Sequence, residues 1–477
     1  MRSILSLVLC TMVFSFSMAS WAAAGPSQKS QPNIIFILAD DAGIGDFSSY
    51  GCSYGITPNI DRLASEGIKF TQAYSGNAVC APSRCVLMTG QHPGHVIRRA
   101  NPSKNGLLPL PADQVTVAKL LKDVGYATGG FGKWGLGNPG TTGVPEKLGF
   151  DVFYGYYDQV HAHDYYTDYM VRNSTREPVP QSGKHTREEY SHTRIAAETL
   201  LFIEQNKDRP FFCYAAWTPP HDEYTIPSDD IYAKKPWPET VRSYAAMVAL
   251  IDRDVGRVIQ KLKDLGIDDN TLVIFASDNG ANQQFIEPLG STGGLRGYKR
   301  MLYEGGIRAP FIARWPGKIP SAQTSDLLTS FVDFLPTAAK ISGAPLPEGI
   351  DGVSILPTML GAEQTVRHES LYFEIYEPYF QQSVRWGDWK GYRIGLESPL
   401  ELYNLKADPT ELHDVAADQI EVLRKIEAIM AKEHVPSPNY DAPLIGKRVA
   451  VTVEQGKIQK AQSLTDALAD RDAENKK

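Results

Sequence analysis

Within five residues, Cys80-Ala81-Pro82-Ser83-Arg84 joins a sulfur, a helix starter and a fixed cation. Pro82 has its φ preset for a first helical turn, which places Cys80 just ahead of that turn. Free N–H groups and the positive end of the helix dipole then face whatever Cys80 carries, and they favour an anion there. Arg84 falls one turn further in on the same side, with a planar fork suited to oxyanions. Two acidic pairs add a second kind of chemistry. Asp40-Asp41 and Asp278-Asn279 offer several oxygen ligands and no soft ones, a set that suits a hard divalent cation such as Ca2+ or Mg2+. Lys133, in Gly132-Lys133-Trp134-Gly135-Leu136-Gly137, is a lysine among glycines, where backbone and ammonium can both approach an anion closely.

These residues need elements to hold them. Residues 33–39, 127–131, 210–217, 271–277 and 310–315 are short, nearly continuous apolar runs, which predict buried strands. The first and fourth end on the two acidic pairs, and the second leads to Lys133. Between them, Thr57-Pro58 starts a helix with Ile60, Leu63, Ala64 and Ile68 on its apolar face. Residues 115–124 and 195–205 read as helices, and positions 244 to 262 keep a helical apolar period over a long one. Alternating strands and helices predict an α/β fold: a large, mostly parallel sheet sandwiched by helices. Ligands in such sheets gather beyond the strand C-termini. After the Pro/Gly cluster at 343–352, short strand candidates at 371–375, 383–386, 389–394 and 401–405 precede a helix at 420–432. They predict a smaller C-terminal antiparallel sheet with one helix packed on it. The expected division is a signal at 1–24, a catalytic part at 25–365, a small α+β part at 366–450 and a charged tail at 451–477.

A formal net charge of −7 and no dense Lys/Arg stripe argue against a nucleic-acid partner. Arg2, the apolar run 4–16 and Trp21-Ala22-Ala23-Ala24 read as an export signal, which predicts a secreted or periplasmic protein. No later stretch is apolar and long enough to span a bilayer, so no stable membrane span is expected after cleavage. Cys10 would leave with the signal. Cys52, Cys80, Cys85 and Cys213 remain, with no Cys-x-x-Cys pair for thiolate metal binding, and helical spacing makes a Cys80–Cys85 bridge geometrically poor.

Asp-Asp-x-Gly at 40–43, Cys-x-Pro-Ser-Arg at 80–84, Gly-Lys-Trp-x-Leu-Gly at 132–137 and Ser-Asp-Asn-Gly at 277–280 occur in the order of the formylglycine-dependent sulfatases. The chain resembles that arylsulfatase-like family of the alkaline phosphatase superfamily over nearly its whole mature length. Leu402-Tyr403-Asn404-Leu405, followed by Asp408-Pro409, is similar to the family's C-terminal subdomain. The resemblance implies that a formylglycine-generating enzyme oxidises Cys80 to formylglycine, whose hydrate is the nucleophile. It implies one Ca2+ held by Asp40, Asp41, Asp278, Asn279 and the group at position 80. Lys133 and Lys299 match lysines that contact the sulfate or the nucleophile, and His221 matches the histidine facing the leaving group. In the implied mechanism Asp278 takes a proton from the attacking hydroxyl and His221 or Lys299 protonates the leaving alkoxide.

There is one departure. The family commonly has histidine where this chain has Gly135, and His161 or His163, in the aromatic stretch 154–169, is the expected replacement. The tyrosines of that stretch and Trp217 offer stacking faces of the kind sugars use, so a sulfated small molecule or glycan is the expected substrate. A phosphoester hydrolase on the same scaffold and a non-catalytic sulfated-glycan-binding protein are the alternatives.

Overall fold

The computed structural model describes residues 31–55, 57–101, 108–179 and 189–445. The expected signal at 1–24, the tail at 451–477 and the last residues of the 366–450 part lie outside them. The strands, in chain order, are β1 (Asn33–Ala39), β2 (Ile68–Phe70), β3 (Ala73–Tyr74), β4 (Ala127–Lys133), β5 (Val152–Tyr156) and β6 (Tyr169–Arg172). Then come β7 (Thr175–Pro178), β8 (Phe211–Ala216), β9 (Thr271–Ser277), β10 (Phe311–Arg314), β11 (Gln323–Ser325) and β12 (Thr329–Ser330). The C-terminal four are β13 (Ser370–Ile375), β14 (Gln381–Trp386), β15 (Trp389–Ile394) and β16 (Glu401–Asn404).

Ten of these form one sheet in the order β11-β2-β10-β9-β1-β8-β4-β5-β6-β7. Its centre, β9-β1-β8-β4-β5, is all parallel. Antiparallel strands β10 and β6 flank that centre. Strands β9, β1, β8 and β4 are buried along their whole length because both faces are covered. Ile34, Phe36 and Leu38 face one core, with Val86 and Leu87 of the helix Cys80–Thr89 and Leu335 of the helix Phe334–Ser342. Ile35 and Ile37 face the other, with Ile251 and Val255 of the long helix Glu239–Asp264. A two-residue period is thus hidden inside runs that read as uniformly apolar. Each such side chain contributes about 1.5–3 kcal/mol of burial.

Two local expectations change. The helix at Pro58 ends at Ser65, and Ile68 opens β2 rather than extending the helical stripe. Half of the aromatic stretch 154–169 is core: Tyr154 and Tyr156 lie on β5 and, with Tyr157 and Tyr165, are buried. Strands β13-β14-β15-β16 form a separate antiparallel sheet. One face packs Val384 and Leu402 on Ile426 and Met430 of the helix Ile420–Glu433. The other packs Leu371, Phe373 and Tyr392 against Tyr74, Val79 and Cys80. The small sheet therefore backs the segment that enters the Cys80 helix.

Candidate active site

Strand register brings the chemistry together. Ala39 of β1 pairs with Ser277 of β9, Leu38 with Ala216 of β8, and Ala216 with Gly132 of β4. Asp40, Asp278, Trp217 and Lys133 consequently emerge at the same C-terminal edge. The ladder continues one step beyond the strands, since Asp278 N donates to Ala39 O at 3.1 Å and Asp40 N to Pro219 O at 3.3 Å. Asp41 takes a left-handed φ of 66°, a conformation uncommon outside glycine, and its N–H donates to Asp278 Oδ1 at 3.2 Å.

The helix Cys80–Thr89 begins on Cys80 itself, one residue earlier than the Pro82 argument placed it, after an extended Val79. The next N–H, of Ala81, donates to Asn101 Oδ1 at 3.3 Å. Arg84 sits one turn in and is fully buried. Its guanidinium donates to Asp278 Oδ2 through Nε at 3.0 Å and Nη2 at 2.8 Å, to the Lys133 carbonyl, and lies 3.2 Å from Asp40 Oδ2. Lys133 Nζ reaches Asp40 Oδ2 at 2.7 Å, and Lys299 Nζ reaches Asp41 Oδ2 at 2.6 Å. Asn279 Nδ2 donates to Asp41 Oδ1 at 2.8 Å. His221 Nε2 lies 3.3 Å from Lys299 Nζ and 3.6 Å from Asp41 Oδ2.

The fields follow from burial and from these neighbours. Burial alone would raise the Asp40 carboxyl, but the Lys133 ammonium and the Arg84 guanidinium hold it well below the usual carboxylate range. Burial and the Asp40 charge push Asp278 up to about 7. Burial and the Lys133 ammonium push His221 down to about 3, so its imidazole is neutral. Burial and Asp40 push the Cys80 thiol up to about 12, and a neutral thiol is a poor nucleophile.

Two oxygens in this cluster stand out. Asp40 Oδ1 and Asn279 Oδ1 are buried and have no hydrogen-bond partner. Orphaned buried acceptors are rare and call for a missing ligand. Ligand atoms of Asp40, Asp41, Cys80 and His221 also lie within 4.8 Å of one another. Hard oxygens around two open acceptors fit a divalent cation such as Ca2+ or Mg2+.

Of the two histidines in the aromatic stretch, the structure brings one to the cluster. His163 lies edge-on to His221 with ring centroids 4.6 Å apart, and its Nδ1 is 3.3 Å from Asp222 Oδ1. His161 is instead stacked on Tyr169 at 4.3 Å with Nε2 bonded to Thr167 at 2.8 Å. Asp222 was not among the sequence candidates, although its place beside His221 was a visible signal. Its Oδ1 sits between His221 Nδ1, at 3.2 Å, and His163. Despite its burial, the hydrogen bond from His163 and the Lys299 charge hold its carboxyl low. Asn101 was also missed, because nothing in its local sequence ties it to the Cys80 helix.

A family model described as Sulfatase matches residues 32–344. The chain belongs to the sulfatase family. A second model, described as N-sulphoglucosamine sulphohydrolase, C-terminal, matches residues 296–435 of this sulfatase. Arylsulfatase A of Homo sapiens is 32% identical over 466 residues, covering 85% of this chain and 88% of the relative. N-acetylgalactosamine-6-O-sulfatase of Bacteroides thetaiotaomicron is 30% identical over 485 residues, covering 84% and 93%. Among solved structures, that of Ps i-CgsB in complex with k-i-k-neocarrahexaose has a TM-score of 0.77 at 28% identity, over 86% of this chain and 95% of that one. The sulfatase is a sulfuric ester hydrolase, as these relatives are, so the non-catalytic alternative falls away. No helix among the described residues is long and apolar enough to cross a membrane.

Proposed function

We propose that this sulfatase is exported and hydrolyses a sulfate ester on a carbohydrate, using formylglycine made from Cys80 and a Ca2+ ion held by Asp40, Asp41, Asp278 and Asn279. The observation that carries this reading is the convergence of Arg84, Lys133, Lys299 and His221 with those four acceptors around position 80, two acceptor oxygens being left open. The relatives named for N-acetylgalactosamine sulfate and the neighbour solved with a neocarrahexaose support a sulfated sugar as substrate. A partner formylglycine-generating enzyme follows from the same reading.

When present, the hydrated aldehyde supplies the nucleophile and a second hydroxyl that lets sulfate be expelled, and the cation supplies positive charge beside it. The chain's own residues do the rest. Arg84, Lys133 and Lys299 neutralise the sulfate and the charge that grows on it, an electrostatic role fixed before the substrate arrives. Asp278 aligns the Arg84 fork and is the acceptor for a proton from position 80. Lys299, in contact with the neutral His221, stands where its ammonium can give a proton to the leaving alkoxide, and the imidazole can pass one on only after accepting it from Lys299. His163, held through Asp222, takes the place of the histidine absent at Gly135. We also infer that the catalytic part ends near residue 365, ahead of the small sheet.

The test combines two measurements on protein from its native host. The mass of the tryptic peptide 70–84 should show aldehyde in place of thiol. Chelation should abolish sulfate release from 6-sulfated N-acetylgalactosamine, and Ca2+ should restore it better than Mg2+. An intact cysteine in a fully active sample, or activity indifferent to chelation, overturns the reading.

A further inference from the structure

A cavity of about 80 Å3 is walled by Arg98, Gly135, Asn138, Tyr157 and Gln159. Two of its walls are linked to the centre through the chain. Gly135 lies two residues beyond Lys133, and the Asn101 carbonyl that accepts from Arg98 belongs to the residue whose side chain caps Ala81, next to Cys80. Gly135 has a φ of +77°, and a Cβ there would sit 2.1 Å from Gln159 Nε2. The Gln159 amide therefore fills the space that a side chain at position 135 would need.

Two donors at this cavity lack acceptors. Gln159 Nε2 and Arg98 Nε are buried and neither has a hydrogen-bond partner. Arg98 is 1% exposed, and its other nitrogens donate only to neutral carbonyls, Leu108 O at 2.8 Å and Asn101 O at 2.7 Å. No carboxylate forms an ion pair with it among the described residues, whereas the equally buried Arg84 has two. Burial holds the Arg98 guanidinium below the usual arginine range. Glu377 and Asp158 act on it only from beyond ion-pair distance. A buried cation without a bonded counter-anion is costly, and an unsatisfied amide N–H on the same cavity adds to the cost. An anion that accepts from both would remove both penalties, and a carboxylate or sulfate oxygen has the right shape for a guanidinium edge.

We propose that this cavity is a second anion subsite, which takes a sulfate or carboxylate borne on the sugar beside the sulfate ester being cleaved. The inference rests on the sulfatase reading of the centre and adds to it a preference for doubly anionic substrates. Gln159 and Arg98 select the substrate; the chemistry stays with the residues around position 80.

The test compares kcat/KM for three probes with the native, modified enzyme. They are 4-nitrophenyl N-acetylgalactosaminide sulfated at O6, the same glycoside with a second sulfate at O4, and an O6-sulfated disaccharide whose neighbouring ring is a uronate. The ratio of doubly to singly anionic probe cancels any general damage to the centre. The native enzyme should favour the second-sulfate or the uronate probe by about tenfold or more, and which of the two it favours identifies the anion. Gln159→Leu and Arg98→Gln should each bring that ratio to within about twofold of unity. Arg98 also ties backbone carbonyls, so Gln159→Leu decides if Arg98→Gln does not fold. No doubly anionic preference in the native enzyme, or an unchanged ratio in Gln159→Leu, overturns the subsite. If no probe releases sulfate, the reading of the centre fails separately, and calorimetric titration with the same probes still decides the subsite by the same ratio.

Discussion

Two buried charge clusters, one around Asp40 and one around Glu304, solve the same problem differently. Around Glu304, nearly every charge is answered. Its Oε2 accepts from Tyr74 Oη at 2.8 Å and Arg308 Nε at 2.7 Å, and its Oε1 from Lys390 Nζ at 2.9 Å. Lys390 also lies 2.8 Å from Glu411 Oε1, an ion contact without a well-aligned N–H. Glu411 Oε2 accepts from Glu304 N at 2.8 Å, and Arg385 Nε donates to Tyr74 Oη at 2.8 Å. That network ties β14 and β15 of the small sheet to β3, which pairs with β12 outside the ten-stranded sheet, and to the short helix Glu304–Ile307. Around Asp40, by contrast, three cations crowd the Oδ2 atoms of Asp40, Asp41 and Asp278, while Asp40 Oδ1 and Asn279 Oδ1 stay open. A closed network is a fastener, and an open one is a site.

The comparison breaks most sharply at its two buried bases. Arg84→Ala should lower kcat/KM for sulfate release by about 10³-fold or more, since it removes a charge aimed at the transition state. Lys390→Met should do the reverse. It leaves Glu304 and Glu411 without a shared counter-charge and should cost about 3–5 kcal/mol of unfolding free energy, measured with urea. The folded remainder should keep kcat/KM within about threefold of the parent. Comparable activity losses in both variants would mean that the two clusters are one functional unit.

Cation removal sharpens the same contrast. A ligand at a hundredfold excess over its Kd stabilises the fold by about 2.7 kcal/mol, so chelation should lower the melting temperature as well as the activity. Lys390→Met should keep that response, and Asp40→Asn, which removes charge beside the open oxygen, should lose it. The Glu304 cluster answers to pH instead. Although burial would raise Glu304, Arg308 and Lys390 hold its carboxyl well below the usual range. A depressed folded value means stability present above the unfolded value of 4.5 and lost as pH falls below it. The destabilisation caused by Glu304→Gln should therefore be largest near neutrality and shrink below pH 4.5. An effect independent of pH from neutrality down to about pH 3 would show that the charge of Glu304 contributes nothing.

These two clusters also mark what a linear chain reveals. The open cluster was legible because its acids close apolar runs: β1 ends at Ala39 ahead of Asp40-Asp41, and β9 at Ser277 ahead of Asp278-Asn279. Parallel register then forces them to one edge. The closed cluster was not legible, since Glu304 and Lys390 are 86 positions apart and neither closes a strand-length apolar run. Nothing in a two- or four-residue period signals such a partner. The same holds for Gln159, which matters only because Gly135 leaves it room. Ile68 misled for a local reason: it kept the helical spacing, yet the chain turns at Glu66-Gly67 and Ile68 pairs with Ala313 of β10.

The smallest expected difference separates the two histidines of the aromatic stretch. His163 reaches the open cluster through Asp222, which lies within 3.3 Å of both it and His221, and through its edge contact with the His221 ring. His163→Ala should therefore lower kcat by about tenfold, at the weak end of what proton-transfer groups contribute, and should alter the pH profile of kcat. His161 is held in stacking and a hydroxyl hydrogen bond beside β6, so His161→Ala should cost about 1 kcal/mol of stability and leave the pH profile in place. His163→Gln keeps a hydrogen bond to Asp222 without an imidazole ring. If it restores kcat, His163 only positions Asp222 and His221, and the proton that the missing residue-135 histidine would have taken must go elsewhere. If it stays as slow as His163→Ala, the ring itself handles that proton.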